Sequence, residues 1–540
     1  MKTENHINKV GTSERTKAVI EPKLSDQWFL KMGDLVKPAI KAVLEAGDIK
    51  LFPKKFENTY RHWMENVKDW CISRQLWWGH QIPAYFYGEG EEDFVVALSV
   101  EEALEKARQA SGNNRLQASD LRQDEDCLDT WFSSWLWPIS VFDGINKPNN
   151  PELDYYYPTQ DLVTAPEILF FWVARMAMAG YEYTGKKPFE KVYLTGIVRD
   201  KLGRKMSKSL GNSPDPLALI EQYGADGVRM GMLMSSPAGN DLPFDEDLCL
   251  QGRNFSNKVW NALRLVKGWE AGDGEVDAAS IWAMTWFEQV LSETLTQLED
   301  DFMKYRLSDA LMRLYKLIWD DFCSWYLEMV KPAYGEPIAA PVLAKTVDFF
   351  EALMKALHPF MPFITEEAWH VLREVDSDRF LNLQDWPKPS TADRNQLAAF
   401  AHVEELIVAL RNVRKERNLS FKQPLDLRFK GEAPSGLAVV EKLVHAPGAS
   451  SEVPDGALAI LAGTREYFLV FSAVEAALSD EDRAQIEKDI AYYTGFIASI
   501  EKKLSNPGFV NNAPPAVIEI ERKKVHDSQA KLAALQARLG

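Results

Sequence analysis

The spacing of apolar residues changes character along this chain, and each change predicts a different kind of structure. Up to about residue 130 the apolar residues come in short aromatic clusters. IPAYFYG (82–88) and EDFVVAL (92–98) predict strands, and VEEALEKARQAS (100–111) predicts a helix. Between 131 and 250 helix and strand patterns alternate, as in a parallel-sheet α/β unit. There PEILFFWVARMAMAG (166–180) predicts a helix opening at Pro166 and Glu167 and ending at Gly180. KVYLTGIV (191–198) predicts a buried strand, and DPLALIEQYG (215–224) the next helix.

From 251 onward long amphipathic stretches take over, among them NFSNKVWNALRLVKGW and SDALMRLYKLIWDDFCSWYLEMV, and strand signals vanish. That pattern predicts a helical bundle. A smaller mixed segment follows, with LDLRFKG and REYFLVF as strands. At the end Ile486, Ile490, Tyr493, Ile497, Ile500 and Leu504 alternate spacings of four and three, and Ile518, Val525, Leu532 and Leu539 fall seven apart. Two heptad helices joined by NPGFVNNAPP predict an antiparallel hairpin.

Composition bounds the picture. With 540 residues, 46% of them apolar, the chain can bury several cores. No apolar run approaches the roughly 18 residues of a membrane span, and MKTENHINKVGTSERT has no apolar core of a signal peptide. Cys71, Cys127, Cys249 and Cys323 are scattered without a CxxC, which argues for a reducing compartment and against a cysteine zinc site. The net charge of −17 argues against nucleic acid only in the far field, because basic patches persist locally. Arg199 to Lys208 holds five basic residues against one acid, and so does Arg411 to Lys422.

The first of these patches contains GRKMSKSLGN (203–212), two lysines on a glycine-flanked loop between a predicted strand and a helix. Lysines bind phosphate as point charges on flexible stems. Such a loop suits charge that develops during reaction, as on a leaving pyrophosphate.

GRKMSKSLGN resembles the KMSKS signature of class I aminoacyl-tRNA synthetases. WCISRQLWWGHQIPAYFYG (70–88), DTWFSSWLWP (129–138), FFWVARM (170–176), RNFSNKVWNALRLV (253–266), WDDFCSWYLEMVKP (319–332) and LHPFMPFITEEAW (357–369) resemble the valyl subgroup. DTWFSS and the lack of a terminal cysteine cluster set the chain apart from the isoleucyl subgroup, which is the alternative within the class. The resemblance implies the second half of a Rossmann-like α/β catalytic domain, an all-α helical-bundle anticodon-binding domain, a small mixed α/β segment and a C-terminal coiled-coil hairpin. The implied boundaries are 1–30 for the tail of an inserted editing domain, 31–250 for the catalytic half, 251–395 for the anticodon-binding bundle, 396–475 for the mixed junction and 476–540 for the tRNA-binding arm.

The resemblance also implies roles. Lys205, Ser207 and Lys208 would be catalytic on the ATP phosphates, and Gly196 and Val198 would line the adenine by close backbone approach. Trp131 and Trp172 would wall the valine side chain, and Glu167 would meet the ammonium group. Arg253, Asn254, Lys258 and Asn261 near the bundle entry, with Arg411, Arg414 and Lys415 further on, would meet tRNA. ATP with Mg, valine and tRNA-Val are the implied ligands. No protein-bound metal or membrane is expected, and a cytoplasmic monomer is.

A second class I signature, HIGH, needs two histidines three apart. The eight histidines here are His6, His62, His80, His358, His370, His402, His445 and His526, none closer than twelve residues. The chain is therefore expected to be the C-terminal portion of a larger enzyme and inactive alone. A non-catalytic tRNA-binding protein derived from a synthetase is the other alternative. His80, in WGHQIP, reads as a turn into a strand.

Overall fold

The computed structural model describes residues 4, 9–13, 16–207, 210–235, 239–374, 376, 378–390, 393–471, 480–506, 509 and 515–539. They fall into two compact units, one reaching Ile197 and including Ala238–Asp241, the other made of Val198–Pro237 and everything from Leu242.

The first unit is built on a three-stranded parallel sheet in which Phe189–Leu194 lies between Lys50–Phe52 and Thr159–Thr164. The middle strand buries Phe189, Val192, Tyr193 and Leu194, as a strand covered on both faces must. The predicted helix at Pro166 forms, with a tight first turn and wider turns over Leu169–Ala174. It does not stop at Gly180. It runs as Arg175–Thr184 and ends at Gly185, whose φ of 67° closes it left-handed. Gly180 is interior for a packing reason: a Cβ there would come within 2.8 Å of the Tyr157 hydroxyl. A smaller antiparallel sheet places Ala84–Phe86 between Phe94–Val96 and Arg122–Gln123. The adjoining helix Val100–Ser111 is capped by the Ser99 hydroxyl and stopped by Gly112.

In the second unit Val198–Arg199 pairs with Leu242–Pro243. The helices Pro216–Tyr223 and Ala225–Met234 follow, then the long bundle helices Glu246–Lys267, Ala278–Met303, Ala340–Leu357 and Pro362–Arg373, with a further helical run over 307–330. Pro362 splits the sequence pattern that continued through LHPFMPF, and Asp226 accepts hydrogen bonds from the freed Phe363 and Ile364 N–H groups. The bundle core is aromatic: Trp286, Phe287, Phe322, Tyr326 and Phe350 are all buried. Trp286 stacks on Phe400 at 4.0 Å, tying the bundle to the helix Arg394–Glu416.

Gly227, Gly231 and Gly252 let the helices Ala225–Met234 and Glu246–Lys267 cross closely. A Cβ on Gly252 would lie 2.5 Å from the Gly227 carbonyl oxygen, and one on Gly231 would lie 2.7 Å from the Cys249 nitrogen. Gly252→Ala is expected to cost about 2 kcal/mol through overpacking. A lower thermal midpoint for the variant checks this, and an unchanged one contradicts it.

A three-stranded antiparallel sheet follows, Asp426–Phe429, Arg465–Val470 and Leu458–Ala462, with Arg465–Val470 in the middle. The strand Leu458–Ala462 was not apparent in the sequence. The last helices, Asp480–Leu504 and Pro515–Leu539, lie antiparallel, with Lys503 paired to Glu521 and Gln529 reaching Glu501. Ile486, Ile497 and Ile500 on the first of them are buried.

Candidate active site

The lysine loop belongs to the second unit. Arg199 and Lys205 face each other across a tight turn, in which Gly203 takes a φ of 76°. One side chain holds the turn. The Asp200 carboxylate accepts from the backbone N–H of Leu202 and Arg204, from Arg204 Nε at 2.8 Å and from Asn212 Nδ2 at 3.0 Å. Asn212 in turn accepts from the Ser207 N–H at 2.9 Å and donates to the Lys205 carbonyl at 3.3 Å. The clamp therefore joins the start of the loop to its end. Met206 packs with Leu219, Tyr223 and Phe244 and anchors the middle. Lys205 is exposed, Ser207 is half-buried, and Lys208 lies outside the described residues.

The hydrogen bond from Asn212, with those from Arg204 and Leu202, holds the Asp200 carboxyl far below its ordinary 3.8. A depressed carboxylate stabilises the fold above its ordinary value, and that contribution is lost as pH falls below 3.8 toward the lower folded value. The clamp is thus intact throughout the neutral range. Sequence reading passed over Asp200 and Asn212. The signal was an acid at a turn with an amide closing the same loop.

The two candidate pocket tryptophans belong to the first unit. Trp131 sits on the short helix Thr130–Ser134, and its own N–H is capped by the Asp129 carboxylate at 3.1 Å. Asp129 is buried and also accepts from Trp70 Nε1 at 3.1 Å and Arg74 Nη2 at 2.5 Å. Trp172 donates its indole N–H to the Ser134 carbonyl at 3.1 Å, so both predicted tryptophans are fixed to one short helix. Trp131 also stacks on Phe171, with ring centres 6.3 Å apart. Glu167 is exposed in the first turn of the Pro166 helical stretch. Trp131 lines a cleft of about 680 Å³ with Trp63, Trp70, Phe170 and Phe171; neither Trp172 nor Glu167 lines it.

Gly196 and Val198 have internal duties. A Cβ on Gly196 would lie 1.8 Å from the Asn240 carbonyl oxygen, so only glycine fits that close approach. In the other unit, Val198 pairs with Leu242 and packs against the Met206 cluster.

On the helix Glu246–Lys267, Arg253, Asn254 and Asn261 are exposed on neighbouring turns, and Asn257 joins them. Lys258 is half-buried with its ammonium 5.4 Å from the Trp319 ring centre. Arg253, Ser256 and Asn257 border a cleft of about 630 Å³. Further along, Arg411 and Lys415 are exposed, and Arg411 lies over Trp325. Arg414 is different. It is buried and donates to the carbonyls of Ser420, Gln423 and Val444, each at 2.7 Å, and of His445 at 3.3 Å. That corrects the expectation of a tRNA contact there, since its donors close a loop. Among the described residues no three metal-ligating side chains cluster, and no helix is long and apolar enough to cross a membrane.

Three family models match the chain in succession: tRNA synthetases class I (I, L, M and V) over residues 3–245, the anticodon-binding domain of tRNA ligase over 284–429, and the valyl tRNA synthetase tRNA binding arm over 479–540. The chain therefore belongs to the class I tRNA synthetases. Within that class it is homologous along its whole length to valine–tRNA ligases. It is 57% identical to the valine–tRNA ligase of Christiangramia forsetii over 100% of this chain and 62% of that protein. The corresponding values are 56%, 99% and 61% for that of Bacteroides fragilis, and 55%, 99% and 61% for that of Parabacteroides distasonis. The chain thus spans about three-fifths of the length of these relatives.

Proposed function

We propose that this chain serves an ATP-dependent valine–tRNA ligase, forming valyl-adenylate and passing valine to tRNA-Val. The observation that carries the reading is likeness to valine–tRNA ligases from end to end, at 57% identity in the first relative. In this reading Lys205, Ser207 and Lys208 neutralise the pyrophosphate as it leaves, where charge is greatest in the transition state. Asp200 and Asn212 hold the loop in shape for them. ATP enters with its Mg ion as substrate, its adenine beside the backbone at Gly196 and Val198.

Trp131 and Trp172 bound a pocket for a small branched side chain, and Glu167 faces the ammonium group. A rigid aromatic wall excludes one extra methylene by only about 1–3 kcal/mol, so such a pocket selects valine modestly. Arg253, Asn254, Lys258, Asn261, Arg411 and Lys415 meet tRNA phosphates and unstacked bases, and the C-terminal hairpin extends that surface. The protein works as a cytoplasmic monomer.

Aminoacylation by the native protein that carries this sequence tests the reading. Charging of tRNA-Val with valine is expected, and preferential charging of tRNA-Ile with isoleucine would overturn it. The 540-residue chain alone lacks the paired histidines of the second signature, so valine-dependent ATP–pyrophosphate exchange by it is expected at background. The loop clamp gives a finer test. Asp200→Ala is expected to slow exchange by about tenfold in the native protein, as lost positioning does. Asp200→Asn, which keeps one acceptor oxygen and turns the other into a donor, should fall between. Equal rates for all three would remove Asp200 from the account.

A further inference from the structure

The cleft beside Trp131 contains a buried guanidinium without a hydrogen-bond partner among the described residues. Arg175 is only 5% exposed and lines this cleft of about 680 Å³. Its Nε and Nη1 are fully covered, and the guanidinium finds no hydrogen-bond acceptor among the described residues. Instead it lies flat on Trp70, its central carbon 3.4 Å from the ring centre, with Phe170 and Phe171 beyond. Cation–π contact offsets part of the desolvation of a buried cation, but it leaves every N–H unused.

The carboxylates nearby are already engaged. Asp129 spends its oxygens on Trp131 N–H, Trp70 Nε1 and Arg74 Nη2, and Asp69 accepts from the Met32 N–H at 3.0 Å. Burial brings the Arg175 guanidinium down to about 10, with Asp129 opposing the shift and Arg74 adding to it, so it stays charged at neutral pH. Counting Lys68, Arg74 and Arg175 against Asp69 and Asp129, the lining carries one net positive charge. Two opposed features thus share one cavity: a buried cation with no hydrogen-bond acceptor among the described residues and walls of large aromatic rings.

We propose that this cleft is a binding site for a monoanionic carboxylate with an apolar body, the carboxylate seated on Arg175 and the body against Trp63 and Phe170. Nη2, the guanidinium nitrogen that is not fully covered, is the donor the carboxylate meets, and the cation supplies the charge. A single excess positive charge suits one negative charge better than a phosphate dianion. The stacked pair Trp63 and Phe170, 5.0 Å apart, offers the flat apolar wall. The site stands whether or not the valine reading does; it shares Trp131 with that pocket but takes its ligand class from Arg175.

Phenylacetate and its neutral isostere phenylacetamide are the probes, titrated calorimetrically into this chain. Phenylacetate is expected to bind at least tenfold more tightly than the amide. Arg175→Met should abolish the difference, and Arg175→Lys, which keeps the charge without the guanidinium, should keep part of it. Equal binding of acid and amide by the unaltered chain would overturn the proposal, as would failure of both to bind at millimolar concentration. That comparison needs no variant, so it holds even if replacing a buried arginine disturbs folding.

Discussion

Lys208→Ala in the native protein is expected to lower valine-dependent ATP–pyrophosphate exchange by about a hundredfold to a thousandfold, the cost of deleting one preorganised group that meets transition-state charge. The loss should appear in kcat, with the KM for valine little changed, if, as proposed, the ammonium acts on pyrophosphate as it leaves and not on bound valine. Lys208→Arg keeps the charge on a different stem and should recover a fraction of the rate. The frame around the loop makes the effect specific. Asp200 and Asn212 clasp its two ends, and Met206 is fastened to Leu219, Tyr223 and Phe244. Deleting a lysine from such a frame removes charge without unravelling the turn. A drop in valine affinity with unchanged kcat would assign the lysine to the ground state instead.

The second large effect separates two neighbours that look alike in sequence. Arg414→Ala is expected to destabilise the protein by about 3 kcal/mol, since it strands the buried Val444 carbonyl and removes the hydrogen bonds that the Ser420, Gln423 and His445 carbonyls accept from the guanidinium. The slope of tRNA affinity against salt should not change. Lys415→Ala should do the reverse. It is exposed, so stability should hold while the logarithmic salt slope falls by about one unit. Denaturation and tRNA titrations at several salt concentrations measure both. A reduced salt slope with unchanged stability in Arg414→Ala would return that residue to the RNA surface.

The contrast between Arg414 and Lys415 shows what the sequence could convey. A run such as RNVRKERNLSFK states its charge but not which way each side chain turns. Helical period alone does not say that one arginine points inward to close a loop while its neighbour points to water. Periodicity did convey the elements it governs: the Ser99-capped helix and the paired terminal helices form, and the covered strand expected at 191–198 forms at 189–194. It failed where a distant contact decides. Gly180 reads as a helix end, yet its smallness answers to Tyr157 and Lys186. Gly196 reads as a close backbone approach, and the neighbour that requires its smallness in the structure is the Asn240 carbonyl. Asp200 was hidden because a carboxylate inside a basic stretch looks like one more surface charge, and only the fold brings Asn212 to it.

The most direct test of the account is the affinity of this chain for tRNA-Val beside tRNA-Ile, both at one near-physiological salt concentration. The account predicts binding to tRNA-Val at least about tenfold tighter, about 1.4 kcal/mol, from bases read on the bundle. Equal affinities that fall together as salt rises would contradict it, since the surface would then hold phosphates without reading the tRNA.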